Sequence, residues 1–249
     1  MNIIAIDASG AAGSVAYIKS GKLAGEYYFC DKLTHSQTIM LMLESLKQMI
    51  GINLEKVDAV AVTAGPGSFT GLRIGVTAAK VLALSLNVPI IGIPTLDVIA
   101  NGVTFTDNFI CPIMDARRNQ VYTALYKYSD DGNGKVERIT DYMAIDMNEY
   151  IEDIIARAQE TNKKVIFLGD GVDVYKDKIV EALGSYALFM PKFINLQHAS
   201  VLACMAVEEY EKGNTEDPDL FVPMYLRKSQ AEREKEEREA VAKAKEQQA

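Results

Sequence analysis

The sequence predicts a duplicated α/β fold, and three observations predict it. An apolar run from Asn2 ends in a carboxylate at Asp7, and Phe109-Ile110-Cys111-Pro112-Ile113-Met114-Asp115 repeats that pattern. Each run is followed by strand-like segments around a turn, at Ser20-Gly21 in the first half and Asp130 to Gly134 in the second. Later in the first half, Val57-Asp58-Ala59-Val60-Ala61-Val62 is a short run suited to a strand covered on both faces, and it leads through glycines into a helix-like segment. One element order used twice, with strands and helices interleaved, argues for two α/β subdomains. The polar connection Thr104 to Asn108 sets the expected division at 1–105 and 106–226, followed by a charged tail at 227–249.

Taken in order, Asn2 to Asp7 reads as a buried strand, and Gly13 to Lys19 with Lys22 to Cys30 as a hairpin. Thr34-His35-Ser36-Gln37 opens a helix to Ile50, with Thr34 or Ser36 as cap. Its core stripe is Ile39, Leu43, Leu46 and Ile50; Met42 and Met49 widen that stripe, and Met40 and Leu41 fall toward the polar side. Methionine adapts to imperfectly matched surfaces, so the surplus reads either as core filling or as a covered outer face.

Three glycines and a proline then fall within Gly65-Pro66-Gly67-Ser68-Phe69-Thr70-Gly71, permitting backbone angles closed to other residues. Ser68 or Thr70 can cap the helix that follows, whose free amides and dipole favour an anion. A tight turn into a buried helix is the alternative. The segment is not a phosphate loop of the Gly-Lys-Ser/Thr kind, because Leu72 and Arg73 follow Gly71. The helix, Thr70 to Asn87, has two apolar faces: Leu72, Val76, Ala79, Ala83 and Leu86 on one, Ile74, Ala78, Val81 and Ser85 on the other. One face covers the sheet; the second needs another helix of this chain or another chain.

Pro89 to Ile93 gives a further strand and Pro94-Thr95-Leu96 a short helix. The second half reads as strands Phe109 to Asp115 and Val121 to Tyr128, a further strand past the turn, a helix near Met147 to Thr161, a strand Lys164 to Leu168, and helices near Val174 to Leu183 and His198 to Lys212. Pro223 holds Val222 to Arg227 extended. Gln230 to Ala249, almost all Ala, Glu, Lys, Arg and Gln, has no hydrophobic stripe and reads as a solvated or fraying helix.

At 249 residues the chain buries roughly 70–75% of its unfolded surface, whether as one large domain or two small ones. Cys30, Cys111 and Cys204 are odd in number and widely spaced, which fits a reducing cytoplasm. Met1-Asn2 runs into a strand without a basic leader, and the longest charge-free run, Val81 to Leu96, is too short to span a bilayer; a soluble protein is expected. Net charge is −8, and the segment from Arg227 carries seven Lys/Arg against six Glu, leaving −9 for residues 1–226. Such a body is a poor stand-alone nucleic-acid binder, since phosphate contacts supply most of that affinity.

Gly65-Pro66-Gly67-Ser68-Phe69-Thr70-Gly71-Leu72-Arg73-Ile74-Gly75 resembles the signature of the TsaB (YeaZ-type) family, bacterial partner proteins in threonylcarbamoyladenosine synthesis on tRNA, formerly filed with M22 glycoprotease homologues. The likeness extends to Ile6-Asp7-Ala8-Ser9, Met114-Asp115-Ala116-Arg117-Arg118 and Pro223-Met224-Tyr225-Leu226-Arg227. It implies the duplicated actin/Hsp70/sugar-kinase-like fold with two βββαβα-type subdomains. Asp7-Ala8-Ser9-Gly10 likewise resembles the first phosphate-binding turn of that superfamily, and Asp7, Ser9 and Asp115 then mark a vestigial cleft. Gly169-Asp170-Gly171 stands where the superfamily often places an adenosine-binding turn, although an ordinary strand-to-helix turn is favoured.

The resemblance implies a non-catalytic subunit that binds the transferase TsaD and works with the ATPase TsaE, reaches tRNA only through that complex, and self-associates as a homodimer in isolation. No cofactor is required of this chain; ATP and magnesium are expected on the partners. Family members use the helical region for TsaD, and the expected contacts are Met42, Ser45 and Met49 on the first helix and Ile74, Ala78 and Val81 on the second. The loop residues Gly65, Pro66, Gly67, Ser68, Thr70, Gly71 and Arg73 remain a possible ligand loop. Only His35 and His198 are present, without metal-ligand spacing, and nothing matches the His-x-x-x-His motif known in TsaD; no catalytic or metal residue is expected. Neither Ser68 nor Thr70 has a motif-related histidine to make it a nucleophile. The competing reading is a nucleotide-dependent phosphotransferase or ATPase using Asp7 and Asp115, although Ala8-Ser9-Gly10 and Ala116-Arg117-Arg118 lack the Asp-x-Gly form.

Overall fold

The computed structural model describes residues 1–31, 33–129 and 135–227. The expected turn at Asp130 to Gly134 and the tail from Gln230 lie outside the described residues. Strands β1 (Ile3–Asp7), β2 (Gly13–Lys19), β3 (Lys22–Phe29), β4 (Ala59–Gly65) and β5 (Ile90–Pro94) form one sheet in the order β3-β2-β1-β4-β5. β1 pairs antiparallel with β2 and parallel with β4, and lies buried along its whole length.

Alternation along β1 divides the core in two. Ile4 and Ile6 face α1 (His35–Ile50) and α2 (Phe69–Leu86), meeting Ile39, Leu46, Val76 and Ala79. Ile3 and Ala5 face α6 (Ala199–Glu211), which returns from the far end of the chain. On that side Ala5, Ala16, Ala59 and Ala61 meet Ala199, Ala203 and Ala206, so small residues on both surfaces set a close helix–sheet approach.

The second sheet repeats the plan. β6 (Phe109–Asp115), β7 (Gln120–Thr123), β10 (Met143–Asp146), β11 (Val165–Leu168) and β12 (Ala187–Phe189) run in the order β10-β7-β6-β11-β12, with β8 (Tyr126–Tyr128) and β9 (Val136–Arg138) as a side hairpin. One face is covered by α4 (Met147–Thr161) and α5 (Gly171–Leu183). The other meets α3 (Thr95–Ala100), whose Leu96, Ile99 and Ala100 join Ile110, Met114 and Tyr126 in a core between the lobes. Asp97 strengthens this junction by accepting hydrogen bonds from the Tyr126 and Tyr142 hydroxyls at 2.6 and 2.7 Å.

Two expectations need correction. Val121 to Tyr128 is not one strand: β7 and β8 are separated by Ala124-Leu125. The break follows from the register, since Ile113 pairs with Thr123 and Ile110 with Tyr126, leaving Pro112, which lacks an N–H, opposite the gap. The second concerns Val81 to Leu96 as the test of membrane-span length. α2 is the one helix among the described residues that is long and apolar enough by length and composition. The charge-free count missed it because Lys80 interrupts the run. α2 lays Leu72, Val76, Ala79 and Ala83 on the sheet, as the core helix of a folded domain does.

Ala203→Leu, which adds volume where α6 lies close on the sheet, is expected to lower unfolding free energy by about 1–3 kcal/mol. Urea denaturation measures this, and an unchanged midpoint would show that α6 packs loosely.

Candidate functional site

β4 ends at Gly65, which has φ +114° and is followed by a cis bond to Pro66. Ser68 caps α2, its Oγ accepting from the Gly71 amide at 3.3 Å, while the Ser68 amide donates to the Ser9 carbonyl at 2.7 Å. The glycines have a steric reason. A Cβ on Gly67 would collide with the Ser9 carbonyl, one on Gly71 with the Ala8 carbonyl, and one on Gly65 with the Met224 carbonyl. The loop is therefore pressed onto the first turn of the chain, Asp7 to Gly10, from one side and onto residue 224 from the other.

Asp7, at the end of β1, is enclosed beside Ser9, Thr63 and Gln197. Its Oδ1 accepts from the Ser9 amide at 2.9 Å and the Ser9 hydroxyl at 3.0 Å, while Oδ2 has no hydrogen-bond partner. Burial pushes the Asp7 carboxyl up to about 6, against the lowering influence of Ser9, Gln197 and Thr63. Asp7 and Ser9 are both fully buried.

The equivalent position in the second lobe is open. A cavity of about 580 Å³ lies between the lobes, with the loop at Gly67 to Thr70 on one wall and Asp115, Arg117 and Asp170 on another. Asp115 Oδ1 accepts from the Arg117 amide at 2.9 Å, and Oδ2 lies 3.4 Å from its guanidinium. Arg117, Arg118 and Asn119 all have positive φ, +64°, +55° and +59°, so this turn carries strain that the first turn does not. Gly169-Asp170-Gly171 is a strand-to-helix turn: both glycines lie against the Ile113 carbonyl, and Asp170 Oδ1 accepts from the Asp115 amide at 3.0 Å. At the cavity mouth the Arg73 guanidinium stands 4.0 Å over the Phe69 ring, which in turn contacts Tyr225 at 5.1 Å.

The structure does not bring Asp7 and Asp115 into one open pocket. Asp115 lines the cavity; Asp7 is fully buried beside Ser9, Thr63 and Gln197, a correction to the symmetrical cleft that the repeated sequence pattern suggested. The two histidines are apart as well. His35 Nε2 lies 2.8 Å from the Gly10 carbonyl oxygen, and His198 stacks on Tyr28 while its Nδ1 lies 3.3 Å from Glu26.

On the outer side of α1 and α2 the six expected contact residues separate by exposure. Met49 and Val81 are 72% and 61% exposed, Ile74 and Ala78 are half-buried, and Ser45 is exposed with its hydroxyl on the Leu41 carbonyl at 2.8 Å. Met42 is a correction, because at 8% exposure it belongs to the core beneath this face. Leu41 and Leu84 are exposed here and were not among the expected contacts. Leu41 was legible, lying four residues before Ser45 and eight before Met49 on one helical row.

Two lobes with equivalent strand orders, β3-β2-β1-β4-β5 and β10-β7-β6-β11-β12, and facing a shared cleft, define the actin, Hsp70 and sugar-kinase class of α/β proteins. The model of the family described as TsaD, tRNA N6-adenosine threonylcarbamoyltransferase, matches residues 32–235. The tRNA threonylcarbamoyladenosine biosynthesis protein TsaB of Bacillus subtilis is 34% identical over 232 residues, covering 93% of this chain and 96% of that protein. TsaB of Escherichia coli is 29% identical over 93% of the chain and 96% of its own length. A Pseudomonas aeruginosa structure described as similar to the peptidase YeaZ superposes with a TM-score of 0.74 at 25% identity, covering 91% of this chain and 99% of that one. The chain belongs to the TsaB branch of this TsaD-type family, and it takes part in tRNA threonylcarbamoyladenosine biosynthesis.

Because the folded pKa of Asp7 lies above its unfolded value, its ionisation favours the unfolded state, and stability is lost as pH rises from about 4 to about 6. Asp7→Asn is expected to remove that decline, measured as unfolding free energies at pH 4.5 and pH 7. A decline equal to that of the unmodified chain would place its source elsewhere.

Proposed function

We propose that this chain is a non-catalytic subunit that docks on a TsaD-type transferase and, with a TsaE-type ATPase, supports threonylcarbamoyl transfer to the adenosine of tRNAs reading codons beginning with A. The observation that carries this reading is the outer face of α1 and α2. Leu41, Met49, Val81 and Leu84 are exposed at 68%, 72%, 61% and 47% on adjoining helices whose opposite sides already fill the core. A helix with two apolar faces and one sheet to cover leaves the second face for a partner.

Two further observations support a binding role. Asp7, the carboxylate that a nucleotide enzyme of this fold would place by its ligand, is fully buried beside Ser9, Thr63 and Gln197. The net charge of −9 over residues 1–226 disfavours direct capture of RNA, so tRNA is reached through the complex. ATP and magnesium belong to the partners, and the setting is the cytoplasm. Without a partner the same face pairs two copies of this chain.

Val81→Glu places a charge on this face without touching the core, and is expected to abolish co-purification with TsaD from the same source while leaving the circular dichroism spectrum and melting temperature unchanged. Complex yield equal to that of the unmodified chain would remove this face as the docking site.

A further inference from the structure

Residues 216–227 run from the outer side of one lobe to the other. Glu216 exchanges two backbone hydrogen bonds with Ile90 at the edge of the first sheet, at 3.0 and 2.9 Å. Lys80, on α2, then grips the segment, with its Nζ 3.3 Å from the Asp219 carbonyl and 2.8 Å from the Phe221 carbonyl. Phe221 is inserted into the first lobe at 3% exposure, against Gly92, where any Cβ would meet its ring.

Beyond Phe221 the segment turns into the cleft. The Met224 amide donates to the Ala64 carbonyl at 2.7 Å, and the Tyr225 ring packs on Phe69. Arg227 then crosses to the second lobe and donates from Nη1 to the Ala116 carbonyl at 2.8 Å, in the strained turn next to Asp115. Met224 to Arg227 thus form part of the cleft wall. Separating the lobes requires Arg227 to release Ala116 or Phe221 to leave its core site.

Lys80 sits beside the exposed outer face of α2: Val81 is its neighbour, and Leu84 lies one helical turn further on. We propose that the 216–227 strap ties this face to the cleft, so that a partner seated on α2 also holds the two lobes together. This rests on the docking reading given above. A protein covering Val81 and Leu84 screens the Lys80 ammonium from water, which strengthens its bonds to the two strap carbonyls. By linkage, a strap fixed in the closed position raises affinity for the partner in the same proportion.

Hydrogen exchange read by mass spectrometry tests the tie, first on the chain alone. Lys80→Met is expected to speed exchange about tenfold in the peptide covering residues 113–118 of the second lobe, with exchange in β1 unchanged. An unchanged 113–118 peptide overturns the proposal whether or not any partner binds. In the second arm, TsaD from the same source is added to the unmodified chain and to Arg227→Ala. The unmodified chain is expected to gain protection on α2 and at 113–118; Arg227→Ala keeps the α2 protection and loses the remote one. Remote protection that survives Arg227→Ala means the partner covers that turn directly, and the tie is refuted. Absence of α2 protection in the unmodified chain refutes the docking reading instead, and the Lys80→Met result stands by itself.

Discussion

The contact of the glycine loop with the first turn of the chain is the constraint on which the rest of this molecule depends. Gly67 and Gly71 lie so close to the Ser9 and Ala8 carbonyls that neither position has room for a side chain, and the Ser68 amide fixes the contact by bonding to Ser9. Since β1 and β4 are parallel neighbours, their ends emerge together, and the approach of the two turns sets where α2 begins. Gly75 in α2 continues the close fit, since a Cβ there would stand 3.2 Å from the Ala8 methyl. The glycines serve backbone-to-backbone packing, and the helix they launch is held at a fixed distance from the sheet.

The chemical consequence is an asymmetry between lobes built on one plan. Both central strands end in aspartate, yet Asp7 is enclosed and Asp115 faces the cavity. The enclosed carboxyl has one oxygen satisfied by Ser9 and the other without a partner, which is why burial dominates its protonation. In the second lobe the turn after the strand is left-handed from Arg117 to Asn119, and the Gly169-Asp170-Gly171 turn packs on the Ile113 carbonyl, two residues before Asp115. A nucleotide enzyme requires carboxylates and backbone amides around the same phosphates. Here the first lobe uses those groups to hold itself together.

α2 carries the result outward. Fixed by the glycine loop at its start and capped by left-handed Asn87 at its end, it presents Leu72, Val76, Ala79 and Ala83 to the sheet and Val81 and Leu84 to the outside. Lys80 stands between those two sides and holds the strap that returns to the cleft. Core, outer face and cleft therefore share a single rigid element, so that events at one of them reach the others through short contacts.

Much of this was legible in the sequence, because the signals involved are local. The twin runs ending in Asp7 and Asp115, the hairpin at Ser20-Gly21, a cap at Ser68 or Thr70 and the two apolar faces of α2 follow from residue type and periodicity, which act over a few residues. The break between β7 and β8 depends on Pro112 of β6 falling opposite Ala124, a matter of register between strands. Met42 was assigned to the outer face and lies in the core, since a helical wheel gives direction but not the depth of neighbouring elements. The sequence by itself determined the order of the main helices and central strands, the duplication and the surplus apolar surface, but not the split of β7 from β8, the second strand after the turn or β12. Tertiary structure alone decided that Asp7 is sealed while Asp115 is open and that residues 216–227 bridge the lobes, because burial and long-range contact are set by segments far apart in the chain.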